Sequence, residues 1–299
     1  MPVRVCYTPK RFSKTSREII RRANEIIEDY RQQGLDLTLR QVYYQFVSRG
    51  WIPNNQAEYK RLGSVLNDAR MAGEMDWDAI EDRTRNLRAN PHWSEPSDII
   101  ESAAHSYRED LWADQDHYVE VWIEKDALVG VLDAVCPKND VPYFSCRGYT
   151  SQSEMWNAAM RLNRAARGGR TPVVIHLGDH DPSGVDMSRD IHDRLNLFST
   201  ADMESPRFDR GWQPCEIDVR RIALTMPQVQ KFAPPPNPAK MTDARAQGYV
   251  AEYGDESWEL DALEPRTLIG LIQKEIDSCR NQERWDASVA PPRPPPARS

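Results

Sequence analysis

Long apolar runs are missing from this 299-residue sequence, and nowhere do 18 apolar residues follow one another. Because a helix needs about 20 such residues to cross a bilayer, we expect no membrane-spanning segment. The first residues, MPVRVCYTPKRF, also lack the apolar core of a secretory signal. The sequence therefore predicts a protein that stays in the cytoplasm.

Paired cysteines are also missing, since the five cysteines are scattered and form no CxxC motif. Structural zinc sites and the disulfide frameworks of secreted domains both need cysteines at regular, matching spacings. We therefore predict reduced thiols and neither kind of site. The cysteines are Cys6, Cys136, Cys146, Cys215 and Cys279.

A basic net charge is missing as well, because the formal charge of the chain is −7. Phosphate neutralisation needs clustered Lys and Arg, so this total alone argues against a nucleic-acid partner. The distribution argues the other way: residues 1–73 hold 13 Lys or Arg against 7 Asp or Glu, and the rest is acidic. A basic module beside an acidic one fits a DNA-binding domain next to a metal-binding domain, although a solvated helix face would also be basic.

Apolar residues recur at helical spacing in three segments near the N-terminus, 14–33, 39–50 and 55–72. Thr38 is a suitable N-cap for the second helix, and the third helix is basic on its outer face. Three short helices with a basic third one indicate a helix-turn-helix or winged-helix module. Tyr44 falls outside the centre of the apolar stripe of the second helix, and we expect it on the side that reaches solvent or DNA.

Beyond a polar, Pro-containing segment at 89–97, which we interpret as an interdomain linker, short apolar runs alternate with helical stretches. This alternation is typical of right-handed βαβ units on a parallel sheet and predicts an α/β fold, or α+β for the whole chain. We expect an irregular loop at 232–248 and a disordered Pro-rich tail at 287–299. The predicted strands are 117–124, 141–147, 171–179 and 216–224, and the predicted helices are 125–135, 151–167, 182–195 and 264–279.

Three carboxylates lie where predicted strands end: Glu124 closes the first strand, and Asp179 and Asp181 close the third in GDHDPSG. Ligand sites of such sheets lie at the carboxyl ends of the strands, and hard divalent cations prefer oxygen ligands. The constellation predicts a Mg²⁺ site made of Glu124, Asp179 and Asp181. The residues alone leave an alternative, in which Asp179 only ends a strand and Asp181 caps the helix that begins near Pro182.

Four further polar residues lie near these carboxylates or in a similar acidic pattern. His180, inside the D-x-D motif, is interpreted as pointing away from the carboxylates. Lys125, next to Glu124, is interpreted as offsetting negative charge or binding phosphate. Glu259 and Asp261 in WELDALEP suggest metal ligands, yet helix-start capping and solvation explain them equally well. None of the four is therefore assigned to the metal site.

The segments VWIEKDAL and HLGDHDPSG resemble the two motifs of a Toprim domain, in which a Glu ends the first strand and a D-x-D ends the third. The Asp-x-Asp-Pro-x-Gly form is most similar to the A subunit of topoisomerase VI and its meiotic double-strand-break relative. The length is similar to that of compact relatives on mobile elements. This resemblance implies a winged-helix (CAP-like) domain at 1–90, a linker with a helix at 91–115, and a Toprim domain with a C-terminal extension at 116–286.

The segment TLRQVYYQF resembles the nucleophile motif in the winged-helix domain of that family. The resemblance implies Tyr44 as the nucleophile and Arg40 as a neighbour that helps to hold the phosphate, with Tyr43 in the preceding aromatic position. It also implies Mg²⁺ as the cofactor, double-stranded DNA as the substrate, a location at the nucleoid, and a homodimer in which the tyrosine of one protomer works with the metal of the other. Because the sequence has no Gly-rich ATP site, ATP-driven strand passage would need a separate B-type ATPase subunit.

Three functions stay open from the sequence. The leading hypothesis is a type IIB topoisomerase A-like transesterase that leaves 5′-phosphotyrosyl ends in a double-strand break. The second is a hydrolytic, metal-dependent DNA endonuclease of similar architecture, in which water attacks and Tyr44 is a bystander. The third is a DNA-binding protein without catalytic activity, because a fold does not by itself imply a function.

Overall fold

The structure, a computed structural model, describes residues 4–76, 80, 93–200 and 214–289. The described chain begins with three helices. The three predicted helices are confirmed, and each bound lies within two residues of its expected position. Each helix begins at a side-chain oxygen that accepts a hydrogen bond from a backbone N–H of the first turn. The helices are α1 (Lys14–Arg31), α2 (Leu39–Ser48) and α3 (Gln56–Met71), and their caps are Ser13, Thr38 and Asn55.

The three helices share one apolar core, to which each contributes a stripe of fully buried side chains. Burying one such side chain stabilises the fold by about 1.5–3 kcal/mol. Ala262 and Ile269 from the second half of the chain contact the same core, so the helical region is packed against the remainder of the protein. Central members of the core are Ile20, Ile26, Val42, Phe46, Leu62 and Leu66.

The second region is built on a four-stranded parallel sheet with the strand order β2-β1-β3-β4. β1 pairs with β3 along its whole length, up to Ile123 opposite Leu177. Because neighbouring parallel strands end at one edge, the residues that follow these two positions are brought side by side. The α/β prediction is confirmed at this level. The strands are β1 (His117–Ile123), β2 (Tyr143–Ser145), β3 (Thr171–Leu177) and β4 (Asp218–Ala223).

Helices cover both faces of the sheet. α6 (Gln152–Arg167) and α7 (Pro182–Thr200) pack on the face that carries Trp122 of β1. α5 (Val129–Val135) and α10 (Pro265–Cys279) pack on the opposite face, because successive side chains of a strand point to opposite sides. The helical predictions for these segments are confirmed, although α7 runs five residues further than expected. Among the helices of the described residues, none is long and apolar enough to cross a membrane.

The segment 232–248 is more regular than expected. It follows α8 (Met226–Phe232) and contains β5 (Asn237–Pro238), which pairs antiparallel with β6 (Glu256–Ser257). Its last residues begin α9 (Ala246–Tyr253). The prediction of one irregular loop is therefore wrong, because the Pro-rich composition hid two short elements that form through distant pairing and packing.

The predicted linker and tail lie partly outside the described residues. α4 (Pro96–Ser106) begins at the end of the expected linker and is largely exposed. α11 (Gln282–Val289) extends three residues into the tail that was expected to be disordered, so that prediction is wrong for 287–289. The remaining tail, 290–299, is not described. The winged-helix assignment of the first region stays a prediction.

Candidate active site

Two of the predicted metal ligands, Glu124 and Asp179, meet at the carboxyl edge of the sheet. Glu124 follows the last residue of β1, and Asp179 lies two residues beyond the end of β3. The Asp179 N–H donates to Glu124 Oε2 at 2.8 Å. Gly178 makes this approach possible, because a Cβ at that position would lie 2.9 Å from the same oxygen. The strand pairing therefore places the two acids together.

Asp181 lies at the same edge and also begins the next helix. Its Oδ1 accepts hydrogen bonds from the Ser183 hydroxyl at 2.8 Å and from the Gly184 N–H at 2.6 Å. Its Oδ2 has a longer contact of 3.6 Å with Nζ of the exposed Lys240. The helix-capping alternative is thus present in the structure, and it uses only one of the two carboxylate oxygens of Asp181.

Arg221 on β4 holds the loop that carries both aspartates. Its guanidinium donates to the carbonyl oxygens of Asp179 at 2.6 Å, Gly184 at 2.8 Å and Gly178 at 3.3 Å. Within the described part of the chain it forms no ion pair with a carboxylate, so its hydrogen bonds go to the backbone and to the hydroxyl of Ser188. Sequence reasoning missed Arg221, because its place beside the loop exists only once β4 has joined β3.

The predicted metal ligands are buried together, which is electrostatically unfavourable for their charged forms. Glu124, Asp179 and Asp181 are 8%, 6% and 6% exposed. Burial raises the pKa of Asp179 to about 7; the neighbouring Lys125 opposes this rise, and the charge of Glu124 adds to it. Burial also raises the pKa of Glu124, and the charge of Asp181 contributes. Acids in this situation favour a bound proton or a nearby cation.

Glu259 and Asp261 belong to the same cluster. Lys125 Nζ lies 2.9 Å from Asp179 Oδ2. It also lies 2.7 Å from Glu259 Oε2 and 3.1 Å from Asp261 Oδ1. The side chain of Asp261 is completely buried. The interpretation of Glu259 and Asp261 as solvated, helix-capping acids is therefore wrong; no local pattern could reveal a partner more than 130 residues away in the sequence.

Arg40 joins this cluster from α2. Its Nη2 donates to Glu259 Oε2, and its Nε lies 2.9 Å from Asp261 Oδ2. Burial alone would raise the pKa of Glu259, yet Lys125 and Arg40 lower it to about 2. The short 3-10 turn at Leu260–Ala262 packs directly on α2. One set of ion pairs thus runs from α2 to the carboxyl edge of the sheet.

Tyr44 is buried, so its predicted orientation toward solvent or DNA is wrong. Only 3% of the residue is exposed, and its ring packs edge-on against Tyr43 with the centroids 5.3 Å apart. Burial raises the pKa of Tyr44 to about 12, with contributions from the charges of Asp261 and Glu259. The apolar stripe predicted one inner face, but six consecutive residues of α2 are buried because this helix packs on both sides.

A cleft of about 290 Å³ lies beside Tyr44, between α2, the start of α3 and Asn237 of β5. Its wall combines aromatic rings with amides, the guanidinium of Arg40 and the carboxylate of Glu259. An anionic group in this cleft would meet Arg40 and the phenol of Tyr44, and it would compete with Glu259 for the guanidinium. The residues of the wall include Arg40, Tyr43, Tyr44, Asn54, Tyr59 and Asn237.

His180, between the two aspartates, is directed into an aromatic cluster. Its Nδ1 lies 2.8 Å from the hydroxyl of Tyr249, and its ring packs edge-on against Tyr253 and Trp258. Burial lowers the pKa of His180, so the imidazole is neutral near pH 7. These contacts help to fix the loop between β3 and α7, in addition to the hydrogen bonds from Arg221.

The donor set of this site fits a divalent cation such as Mg²⁺, which prefers oxygen ligands. Among the described residues, five carboxylates lie near three cations, of which Arg40 is partly exposed; this leaves two formal negative charges before the exposed Lys240 at the rim is counted. Over the described residues, no three Asp, Glu, His or Cys side chains form a ready coordination shell; Lys125 and backbone N–H groups hold the facing oxygens. The acids are Glu124, Asp179, Asp181, Glu259 and Asp261, and the cations are Arg40, Lys125 and Arg221.

Comparison with known proteins adds no relative to this description. No protein-family model matches the sequence, and no curated protein is significantly similar to it. The side chains of the site and the motifs that carry them are therefore the features that bear on function.

Proposed function

We propose that this chain is a Mg²⁺-dependent DNA-cleaving transesterase similar to the A subunit of type IIB topoisomerases. Its first region would act as a winged-helix domain and its second as a Toprim domain. The observation that carries the proposal is the continuous set of ion pairs between α2 and the sheet edge. Arg40, four residues before Tyr44, shares Glu259 and Asp261 with Lys125, which contacts Asp179. Two motifs that lie far apart in the sequence thus contribute to one cluster.

In the proposed reaction, the oxygen of Tyr44 attacks a backbone phosphorus and the bond from that phosphorus to the 3′ oxygen breaks. The phosphate keeps its bond to the 5′ oxygen, and the tyrosine oxygen takes the place of the 3′ oxygen. The departing 3′ oxygen takes up a proton, which balances the proton that Tyr44 loses. Because one phosphodiester replaces another, the step is reversible and needs no ATP. Arg40, beside the ring of Tyr44, would bind the phosphate and offset its charge.

Glu124, Asp179 and Asp181 would hold the magnesium ion. When bound there, the ion supplies charge stabilisation to the phosphate oxygens during both directions of the transfer. Asp179 and Glu124 are kept in place by the strand ends, and Asp181 by its helix-capping bonds. The rigid backbone at the sheet edge supports this role, because a metal site needs ligands fixed to within a fraction of an ångström.

The expected partners follow from the same proposal. Double-stranded DNA is the substrate, and a homodimer would make the two staggered cuts of a double-strand break. Strand passage would depend on a separate ATPase subunit. Such a protein would work at the nucleoid.

A hydrolytic endonuclease is the second candidate, and the burial of Tyr44 favours it. A phenol that is 3% exposed, with a pKa raised to about 12 by burial, is a poor nucleophile until α2 and its surroundings open. Water at the metal site would need no such opening. In that case Glu124, Asp179 and Asp181 keep their roles and Tyr44 becomes a core residue.

One cleavage experiment separates the two candidates. The protein is incubated with supercoiled plasmid and Mg²⁺ and denatured with detergent, and the products are compared with and without proteinase. Transesterification predicts DNA that stays bound to protein until proteinase is added, and a complete loss of this product in Tyr44→Phe. Hydrolysis predicts free nicked or linear DNA that survives Tyr44→Phe and disappears in Asp179→Ala.

Tyr30→Phe is the matched control for Tyr44→Phe. Tyr30 is also 3% exposed in the helical core, and burial likewise raises its pKa to about 12, but it lies in α1 away from the ion pairs. We expect this variant to trap DNA as the unmodified protein does. If DNA binds without any breakage in Mg²⁺ or Mn²⁺, both enzymatic candidates are wrong.

A further inference from the structure

Two cations share the same two acids at the centre of the site. The Glu259 Oε2 atom contacts both Lys125 Nζ and Arg40 Nη2. Asp261 is divided in the same way, since its Oδ1 lies 3.1 Å from Lys125 Nζ and its Oδ2 lies 2.9 Å from Arg40 Nε. Neither acid is a predicted metal ligand. Each acid therefore links Lys125, which contacts Asp179, to Arg40, which lies beside Tyr44.

Lys125 occupies a carboxylate oxygen that a metal ion would need. Its Nζ lies 2.9 Å from Asp179 Oδ2, while Asp179 Oδ1 accepts the Leu260 N–H at 2.8 Å. A divalent cation at Asp179 would compete with the ammonium for Oδ2, and two cations cannot share one buried oxygen without repulsion. Lys125 must then move away from Asp179. It already contacts Glu259 and Asp261, so these two acids can hold it after the move.

We propose that Glu259 and Asp261 are positioning residues that receive Lys125 when a divalent cation binds Asp179, and that this transfer loosens their hold on Arg40. Metal loading at the sheet edge and release of Arg40 beside Tyr44 are then two results of one exchange of ion pairs. The inference rests on the proposed metal site. It adds two residues and an order of events to that site.

Because Glu259 and Asp261 are largely buried, each must keep a cationic partner throughout the exchange. The Asp261 side chain is 0% exposed and that of Glu259 is 21% exposed, so water offsets little of their charge and they need cationic partners. The turn at Leu260–Ala262 bonds Asp179 through its backbone and packs on α2. A change in the position of Lys125 therefore affects both Asp179, on one side of this turn, and α2, on the other side.

The test measures Mn²⁺ binding by titration calorimetry on the full chain without DNA, so that it does not depend on cleavage. We expect Lys125→Met to bind Mn²⁺ about tenfold more tightly, because the competing ammonium is gone. Glu259→Gln should bind about tenfold more weakly, because Lys125 then stays on Asp179. Arg40→Gln should tighten binding about threefold, since it leaves both acids free to accept Lys125.

The decisive measurement is the double variant Lys125→Met/Glu259→Gln. If Glu259 acts through Lys125, the Glu259→Gln change has no further effect on affinity once Lys125 is absent. If it acts as a ligand or by long-range charge, the two changes are additive and the inference is overturned. Asp261→Asn should behave as Glu259→Gln does; if this buried substitution prevents folding, the Glu259 variants carry the test alone.

Glu120→Gln is the matched control, because it removes another buried acid from β1 that pairs with Arg161 outside this cluster. Its Mn²⁺ affinity should equal that of the unmodified chain. If the unmodified chain cleaves DNA and binds Mn²⁺ but Glu259→Gln leaves the affinity unchanged, only this inference fails. If the unmodified chain binds no Mn²⁺, the proposed metal site fails and the inference fails with it.

Discussion

Glu120 lies within β1 and Glu124 directly follows its last residue; both acids are buried, and they differ in how completely they are paired. Both oxygens of Glu120 are bonded by Arg161, at 2.7 and 3.0 Å, and the hydroxyl of Tyr118 and the indole N–H of Trp122 add two more bonds. Within the described residues Glu124 accepts one backbone N–H, and the charges near it belong to Asp181, Lys125 and Arg221, none of which forms an ion pair with it.

The difference separates an acid whose charge is fully paired within the fold from one whose pairing is incomplete. A buried carboxylate with a matched Arg and filled hydrogen bonds has nothing left to bind. An acid whose pKa is raised by burial, among other acids, marks a functional site more often than a structural one. Four predictions test this comparison, from the largest expected effect to the smallest.

The largest effect should come from exchanging each acid for its amide. We expect Glu124→Gln to lower plasmid cleavage at least about a hundredfold while the protein stays folded, because a ligand and its charge are lost. Glu120→Gln should keep cleavage but lower the free energy of unfolding by about 2 kcal/mol, because charged hydrogen bonds are lost. Cleavage assays and urea unfolding measure the two effects. Equal losses of cleavage in both variants would contradict the comparison.

Removing Arg221 should weaken both fold and site. We expect Arg221→Met to lower the free energy of unfolding by about 3 kcal/mol, because several buried carbonyl oxygens lose their donor. The same variant should bind Mn²⁺ more weakly, since the loop of Asp179 and Asp181 is no longer fixed. Arg221→Lys keeps the charge without the planar array of donors, and we expect an intermediate result in urea unfolding and calorimetry. A variant with full stability and full affinity would show that the loop is held by other contacts.

The pH dependence of stability should reveal the raised pKa of Asp179. Its pKa is about 7 in the folded chain, against 3.8 as the ordinary value, so the folded state binds more protons between these limits. Stability without divalent cations should therefore fall as the pH rises from about 4 to about 7. Asp179→Asn should reduce this slope and stabilise the protein at pH 8 by about 1 kcal/mol. Thermal unfolding at several pH values, in a chelating buffer, measures both; an unchanged slope would contradict the assignment.

The smallest effect should be that of Tyr44→Phe on stability. The ring keeps its packing, and only the hydrogen bonds of the hydroxyl with Asn237 and Arg40 are lost, so we expect a change of no more than about 1 kcal/mol. Thermal unfolding beside Tyr30→Phe checks this. A large loss of stability would mean that the hydroxyl serves the fold, which favours the hydrolytic candidate.

Much of the fold could be predicted because the apolar period of each segment decides its element. α1 and α3 show one apolar stripe, and β1 and β3 are short and mostly apolar, as is typical of strands buried on both faces. α9 and α11 could not be predicted, since each is only eight residues long and shows no clear apolar period of its own. For such elements the local pattern is too weak.

The candidate site was predicted only in part. Glu124 and Asp179 were found because each follows a strong strand and both strands end at one edge. Arg221, Glu259 and Asp261 were missed because their roles depend on ion pairs and hydrogen bonds to residues far away in the sequence. The exposure of Tyr44 was predicted wrongly from the apolar period of α2, because that period shows only one buried face and α2 is packed on two sides.

The contact between Arg40 and Glu259 joins positions 219 residues apart. A growing polypeptide folds its N-terminal part first, so α2 exists long before its acidic partners leave the ribosome. During synthesis the nucleophile candidate would be present without the metal ligands and without the acids that hold Arg40. Under the proposed function, the site would thus be complete only after Glu259 and Asp261 have been synthesised and have joined α2.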